Sequence, residues 1–406
     1  MTPNRVLLVG PVGVLGGAER VLLDAVRALR HERPGMALKV VAMTPGPLLE
    51  EARAAGAEAE LIEMPAELAE LGDSAGGLGL GPARQLARLV TVPGVLRFQQ
   101  ALGRSLASFA PDIIHSNGLK THVLACMLAP RHVPIAWHLH DFVSQRPIMR
   151  RGLAAVGGRV SLVLAISQAV ADDVSAALGP LPLHVLHNAV DCERYSPAAG
   201  DGGWLDGRAG MPPAPDGTLR IGLVATYARW KGHEVFLRAA ARVLAVAPRL
   251  PVRFYVVGGP IYRTLDSQYA RGELVALARA LGLEQRVGFV DFLPDTVPVY
   301  RALDVAVHAS TSPEPFGLTI VEAMASGRPV VVSHAGGARE LVRPGETALA
   351  VMPGDARGLS EQLLRLAGDP GLRAALGQAA RAEALARFSR SSWGPRLLAA
   401  YAQAAR

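Results

Sequence analysis

Val305-Ala306-Val307-His308-Ala309-Ser310-Thr311-Ser312-Pro313-Glu314-Pro315-Phe316-Gly317-Leu318-Thr319-Ile320-Val321-Glu322-Ala323-Met324-Ala325-Ser326-Gly327-Arg328-Pro329-Val330-Val331-Val332 reads as strand, loop, helix and strand in succession. The β-rich run 305–308 ends in a loop broken by two prolines and Gly317. An apolar helical run follows, and Val330 opens a second strand. A strand, a helix and a strand in series make a parallel pair.

The same alternation extends outward in both directions. Strands are expected near 220–226, 252–258, 287–290, 305–308, 330–332 and 348–351, and, in the first half, near 5–10, 38–42, 59–63, 113–115, 135–139, 160–166 and 184–186. Between them, residues 192–218 dissolve into Gly, Pro, Ala and Asp and read as a linker. The expected fold class is therefore α/β: two doubly wound Rossmann-like domains, 1–191 and 219–389, facing a central cleft. In such sheets ligands sit at the carboxyl ends of the strands. The tail beyond Pro370 is helical by composition, with Leu385, Phe388, Trp393, Leu397 and Tyr401 as expected buried positions.

A chain of 406 residues, 50% apolar and 19% charged, has material for two cores and excludes a disordered polypeptide. The formal charge is +7, and of 42 basic residues only Lys39, Lys120 and Lys231 are lysines. The arginines are scattered and form no run, so nucleic acid is not an expected partner. Cys126 and Cys192 stand alone, without metal or disulfide spacing, which suits a reducing cytoplasm. The N-terminus runs directly into Arg5–Gly10, a strand and not an export signal. The apolar stretch 160–171 falls short of the ~20 residues needed to cross a bilayer.

Chemistry concentrates where strands end. If Glu314 and Glu322 shared one continuous helix, eight positions would rotate them about 80° apart, so Glu314 is expected before the helix. The amides of Phe316, Gly317, Leu318 and Thr319 would then be first-turn donors, a cradle for a diphosphate. Glu314 can accept hydrogen bonds from sugar hydroxyls, and Glu322 from the two hydroxyls of a ribose. Lys231, in Arg229-Trp230-Lys231-Gly232-His233 just after strand 220–226, is placed to neutralise a leaving diphosphate.

In the first half, strand 5–10 empties into Pro11-Val12-Gly13-Val14-Leu15-Gly16-Gly17-Ala18-Glu19 at the start of a helix. This loop can bind phosphate or simply make a tight turn. Its spacing is not the dinucleotide fingerprint, and no acidic residue ends the second strand near Ala42, which disfavours a nicotinamide cofactor. Strand 135–139 ends in His138, His140 and Asp141, and strand 113–115 in His115-Ser116-Asn117-Gly118. Alternation leaves open which of His138 and His140 reaches a substrate.

Together these residues resemble the retaining nucleotide-sugar glycosyltransferases of family 4, glycosyl transferases group 1, over nearly the whole chain. The likeness rests on Glu314 to Glu322 with Pro315-Phe316-Gly317, on Gly16-Gly17-Ala18-Glu19, His140-Asp141, Ile166-Ser167, His187-Asn188-Ala189-Val190-Asp191 and Trp230-Lys231-Gly232. Val256-Val257-Gly258-Gly259 and Gly336-Gly337 followed by Glu340 add to it. It implies the two-domain GT-B fold, with the last helix, about 390–406, crossing back onto the first domain. It also implies that Gly16 and Gly17 approach the donor phosphates, that His140 lies against the reacting sugar, that Glu314 binds sugar hydroxyls and that Glu322 binds the nucleotide ribose. His140, Lys231 and Glu314 become the expected catalytic residues. Such enzymes work without a metal or cofactor, and here no Asp-x-Asp cluster exists to hold one.

The chain departs from the family at Thr226, where an arginine is usual, and Arg229 is the nearby substitute. The resemblance places the acceptor in the first domain, beside His115 and Asn117. The expected activity is sugar transfer from a nucleoside-diphosphate sugar to a glycan or lipid-linked acceptor, in glycan, polysaccharide or glycolipid synthesis. An epimerase or phosphorylase of the same fold, and a two-lobed solute-binding protein, are the rival readings. Residues 82–109 interleave Arg84, Arg88, Arg97 and Arg104 with apolar positions. That pattern fits a peripheral contact with an anionic membrane or, alternatively, a helix face packed on its own sheet.

Overall fold

The central β-rich runs are buried on both faces, which is why they read as apolar stretches without alternation, while the edge runs Glu58–Leu61 and Leu183–Val185 are only partly buried. The structure, a computed structural model, describes residues 2–65, 68, 93–260 and 267–404. The chain divides into two compact units, Met1–Ala189 with Arg390–Arg406, and Val190–Ser389.

The first unit holds seven parallel strands, β1 (Arg5–Gly10), β2 (Ala37–Ala42), β3 (Glu58–Leu61), β4 (Ile113–Ser116), β5 (Ile135–Leu139), β6 (Leu162–Ala165) and β7 (Leu183–Val185), in the order β3-β2-β1-β4-β5-β6-β7. The second holds six, β8 (Leu219–Val224), β9 (Val252–Val257), β10 (Val287–Val290), β11 (Val305–His308), β12 (Val330–Ser333) and β13 (Leu349–Val351), in the order β10-β9-β8-β11-β12-β13. Strand order reverses between β1 and β4 and between β8 and β11. These are the places where an open α/β sheet leaves a crevice for a ligand.

The segment expected as a linker belongs to the second unit. It forms a helix, Gly202–Arg208, whose Asp206 is buried and ion-paired to Arg220 (3.0 Å) and Arg253 (2.8 Å). Strand register sets those two arginines opposite each other on β8 and β9, so without Asp206 two like charges would face one another. Asp206 also accepts from the Ala214 amide and the Tyr255 hydroxyl. Burial would raise its pKa, but these donors hold it low. Composition conceals such an anchor, because a glycine-rich helix of seven residues looks like loop.

The tail is two helices, Pro370–Arg387 and Arg390–Ala404, and the second joins the first unit through an Arg390 to Asp24 ion pair (2.5 Å). Phe388, Trp393, Leu397 and Tyr401 are fully buried as expected. Leu385 is not. The buried stripe of its helix runs through Leu376, Ala380 and Ala384, and Leu385 lies one residue, about 100°, off that line.

Residues 82–92 lie outside the described residues. Pro93–Phe109 is one helix that starts at the proline. Its Val95, Phe98, Leu102 and Leu106 are buried within the first unit while Arg97 and Arg104 face outward. The apolar face of that helix is therefore core.

Candidate functional site

In the second unit the two loops that leave β8 and β11 are joined. β8 is followed by a 3-10 turn, Arg229–Lys231, and by Gly232 in the left-handed region (φ +78°), which caps the helix His233–Val246. A Cβ on Gly232 would lie 1.8 Å from the Ala309 carbonyl oxygen, so only glycine lets the loops come this close. The Thr311 amide donates to the Trp230 carbonyl (2.7 Å) across the same gap.

Lys231 thereby reaches Glu314, and the two form an ion pair. The ammonium also sits 4.1 Å from the centre of the Trp230 ring. The second carboxylate oxygen of Glu314 accepts from His308 Nε2 (2.5 Å) and Ser310 Oγ (2.7 Å). Burial alone would raise the Glu314 pKa, but the ammonium and His308 hold it far below the usual carboxylate range. Its backbone carbonyl accepts from the Gly337 amide (2.7 Å). A Cβ on Gly336 (φ +60°) would come within 2.5 Å of that carbonyl oxygen.

Glu314 does precede the helix, which spans Leu318–Ala325 and is capped by left-handed Gly317 (φ +112°). The first bond of the helix runs from the Ile320 amide to the Gly317 carbonyl, so the amides of Leu318 and Thr319 stand ahead of it at the positive end of the dipole. Phe316 is buried, its ring edge-on to Phe388. Glu322, one turn into the helix and partly exposed, accepts from the Tyr300 hydroxyl (3.1 Å), with Thr296 Oγ1 at 3.5 Å.

Arg229, the expected substitute for the absent arginine, is exposed, paired with Glu273 (2.9 Å) and stacked over Tyr269 (4.4 Å).

In the first unit, the glycine loop after β1 places exposed Gly17 at the start of the helix Gly17–Glu32 and half-buried Gly16 at its cap. Glu19 folds back to accept from the Gly16 amide (3.1 Å). Burial raises the Glu19 pKa. Gly13 is the residue that the loop requires: its Cβ would lie 2.4 Å from the Thr44 carbonyl oxygen.

His140 stands just beyond β5, half-buried, with Nε2 2.7 Å from Asn117 Oδ1. Asn117 Nδ2 donates to the Ala18 carbonyl (3.0 Å), which orients the amide and makes Oδ1 an acceptor. His140 Nε2 therefore carries the hydrogen. Burial, with His115 nearby, pushes the His140 pKa down to about 3, so the neutral ring keeps a lone pair on Nδ1. Asn117, expected to face an acceptor, is thus bonded to His140 and the glycine loop.

His115, also expected on the acceptor side, is a correction. It is wholly buried, and both ring nitrogens have partners inside the unit, Tyr401 and His138. Even spacing along β4 and β5 gives His115 and His138 to the core and leaves His140 at the strand end, where a ligand can reach it. His308, Ser310 and Tyr300, which hold the two glutamates, were not singled out in the sequence. The two-residue step from His308 to Ser310 at a strand end was the signal for the first two, and Tyr300 had none.

Residues 218–369 match the family model for glycosyl transferases group 1, and residues 15–194 match that for glycosyltransferase family 4. A D-inositol 3-phosphate glycosyltransferase of Catenulispora acidiphila is 31% identical over 349 residues, 80% of this chain and 79% of that protein. The chain belongs to the group 1, family 4 glycosyltransferases.

A second such relative, from Rhodococcus erythropolis, is 39% identical over 178 residues, 42% of this glycosyltransferase but only 37% of the relative. Among solved structures, Anabaena HepE in complex with UDP and glucose superposes with a TM-score of 0.76 at 26% identity, covering 97% of both chains. Its complex with UDP-glucose gives 0.77 at 25% identity, covering 97% of this chain and 98% of that one. The architecture of this glycosyltransferase is accordingly GT-B, and no helix among its described residues is long and apolar enough to cross a membrane.

Proposed function

We propose that this glycosyltransferase moves a hexose or N-acetylhexosamine from a nucleoside-diphosphate sugar to a glycan or lipid-linked acceptor, with retention of anomeric configuration and without a metal. The observation that carries the reading is the ion pair of Lys231 with Glu314, in the loop that leads into the helix Leu318–Ala325, where the second sheet reverses its strand order.

Lys231 is a largely buried ammonium fixed by Glu314, and with the first amides of the helix that follows Glu314 it supplies the positive charge that a departing diphosphate needs. Glu314 offers about four acceptor positions, of which Lys231, His308 and Ser310 take three, so it has room for roughly one sugar hydroxyl. Glu322, propped by Tyr300, takes the ribose. His140 Nδ1, a lone pair on a neutral ring, accepts from a hydroxyl of the reacting sugar and has no proton to give. As the sugar gains oxocarbenium character, a phosphate oxygen on the same face takes the acceptor proton. UDP-hexoses are the first donors to try, since HepE was solved with UDP-glucose.

The acceptor is proposed to bind the first unit, with peripheral membrane contact if it is lipid-linked. Nucleotide release is measured for several donors, with and without sugar, glycolipid and inositol phosphate acceptors, in excess chelator. Acceptor-dependent release in chelator supports the reading. Release that needs no acceptor favours an epimerase, and release restored only by Mg²⁺ or Mn²⁺ removes metal independence. Co-sedimentation with anionic but not neutral vesicles, reversed by salt, tests the membrane contact.

A further inference from the structure

The end of the chain returns to the first unit and sets a phenol among its histidines. Tyr401, on the helix Arg390–Ala404, is fully buried, and its hydroxyl lies 2.6 Å from His115 Nδ1. His115 Nε2 lies 3.2 Å from His138 Nδ1. The rings meet edge to face, at 79° for Tyr401 on His115 and 87° for His115 on His138. His138 in turn lies against His140, with ring centroids 4.3 Å apart. Trp393 of the same helix runs nearly parallel to His138 at 6.4 Å.

Two directions of hydrogens fit this row: with the phenol donating, the hydrogen left over is on His138 Nε2, which has no partner among the described residues, and with His138 donating it is the phenol's own. Burial pushes the pKa values of His115, His138 and His140 down, so each ring is neutral, with one N–H and one lone pair. In the first direction the phenol is the donor to His115 Nδ1. His115 then carries its hydrogen on Nε2 and donates to His138 Nδ1, which leaves the His138 hydrogen on Nε2. In that direction one hydroxyl sets the tautomer of two rings.

We propose that Tyr401 is a positioning residue for His140, acting through His115 and His138. The proposal rests on the reading of His140 as the histidine at the reacting sugar. Without the hydroxyl, His115 Nδ1 becomes a buried acceptor with no donor. Both rings are then free to exchange tautomers and turn, and the ring packed on His140 loses its fixed plane. Asn117 still holds His140 Nε2, so the defect falls on geometry at the reacting centre and not on donor affinity.

The test is Tyr401→Phe, alone and with His138→Phe. Alone, it lowers kcat about tenfold, since small misplacements of a reacting group carry costs of this order, while donor KM stays within twofold. In the His138→Phe protein, where the row is already cut, it has no further effect on kcat. The same loss in both backgrounds marks a merely structural tyrosine and overturns the proposal, as does an unchanged kcat. Should Tyr401→Phe fail to fold, imidazole ¹⁵N spectra of the unaltered protein decide: hydrogen on Nε2 of His115 and His138 supports the row, and hydrogen on Nδ1 of either overturns it. Those spectra need no substrate, so a protein that transfers no sugar and a protein without the row give different results.

Discussion

Lys231 and Glu314 leave neighbouring strands on separate loops and meet as a largely buried ion pair. Each residue is therefore both part of the proposed donor site and a stabiliser of the loops that build it. Function and stability are linked at this pair, and variants here must be judged on both.

Removing one partner strands a buried charge. Lys231→Met should cost about 3 kcal/mol of stability, while Lys231→Met combined with Glu314→Gln should cost less than the single change. Denaturant unfolding of the single and double variants measures this. Strict additivity of the two costs would show that the residues do not act as a pair.

Arg229 is spent on Glu273 and Tyr269 in an exposed contact. Arg229→Ala should leave turnover within about twofold and stability unchanged, since an exposed ion pair contributes little, whereas Lys231→Ala should cut turnover by roughly 100-fold. Thr226→Arg should be neutral or faster. Steady-state kinetics of the three variants decides the matter, and a crippled Arg229→Ala would restore the substitution idea.

Glu322 is expected to carry donor affinity. Glu322→Gln should weaken binding by about 1–3 kcal/mol, and Tyr300→Phe, which removes one bond to that carboxylate, by about 1 kcal/mol. Calorimetric titration with the donor nucleotide is the check. Two folded variants with unaltered affinity would place the ribose elsewhere.

Four histidines of the first unit, His115, His122, His138 and His140, have pKa values lowered first by burial, His115 to about 4 and His140 to about 3. The unfolded chain takes up protons near pH 6.5, so it binds more of them than the folded protein below that value. The stabilisation is complete above pH 6.5. It is lost as pH falls towards 4, by up to about 1.4 kcal/mol per pH unit for each group. His233, lowered to about 4 in the second unit, adds to the same trend. The melting temperature should drop steeply between pH 6.5 and 4.5, and a flat profile there would contradict the buried neutral rings.

Period and composition made both sheets legible, because strands buried on two faces are written as unbroken apolar runs. Glu314, Glu322 and Lys231 were legible because glycine and proline mark the loop that separates one carboxylate from the helix of the other. What escaped were pairings between distant residues. Nothing local announces that Asp206 answers two arginines placed opposite each other by strand register. His115 looked like a ligand contact because a sequence shows where a side chain starts, not which neighbour it turns to. The same limit hid the hydroxyl of Tyr401, 286 positions from the histidine it meets.

The return of the helix Arg390–Ala404 to the first unit governs how the protein is made. All seven strands of the first sheet leave the ribosome about 200 residues before the helix that covers His115 and His138. At roughly 5–20 residues per second, that leaves the newborn first half unfinished for some 10–40 seconds. The second unit contains its whole sheet within one continuous stretch and can be complete sooner. The part synthesised first is thus the part finished last, and until then it needs shelter from other nascent chains. A stop codon directly after Ser389 would spare every residue of the second unit and still leave the first without its closing helix.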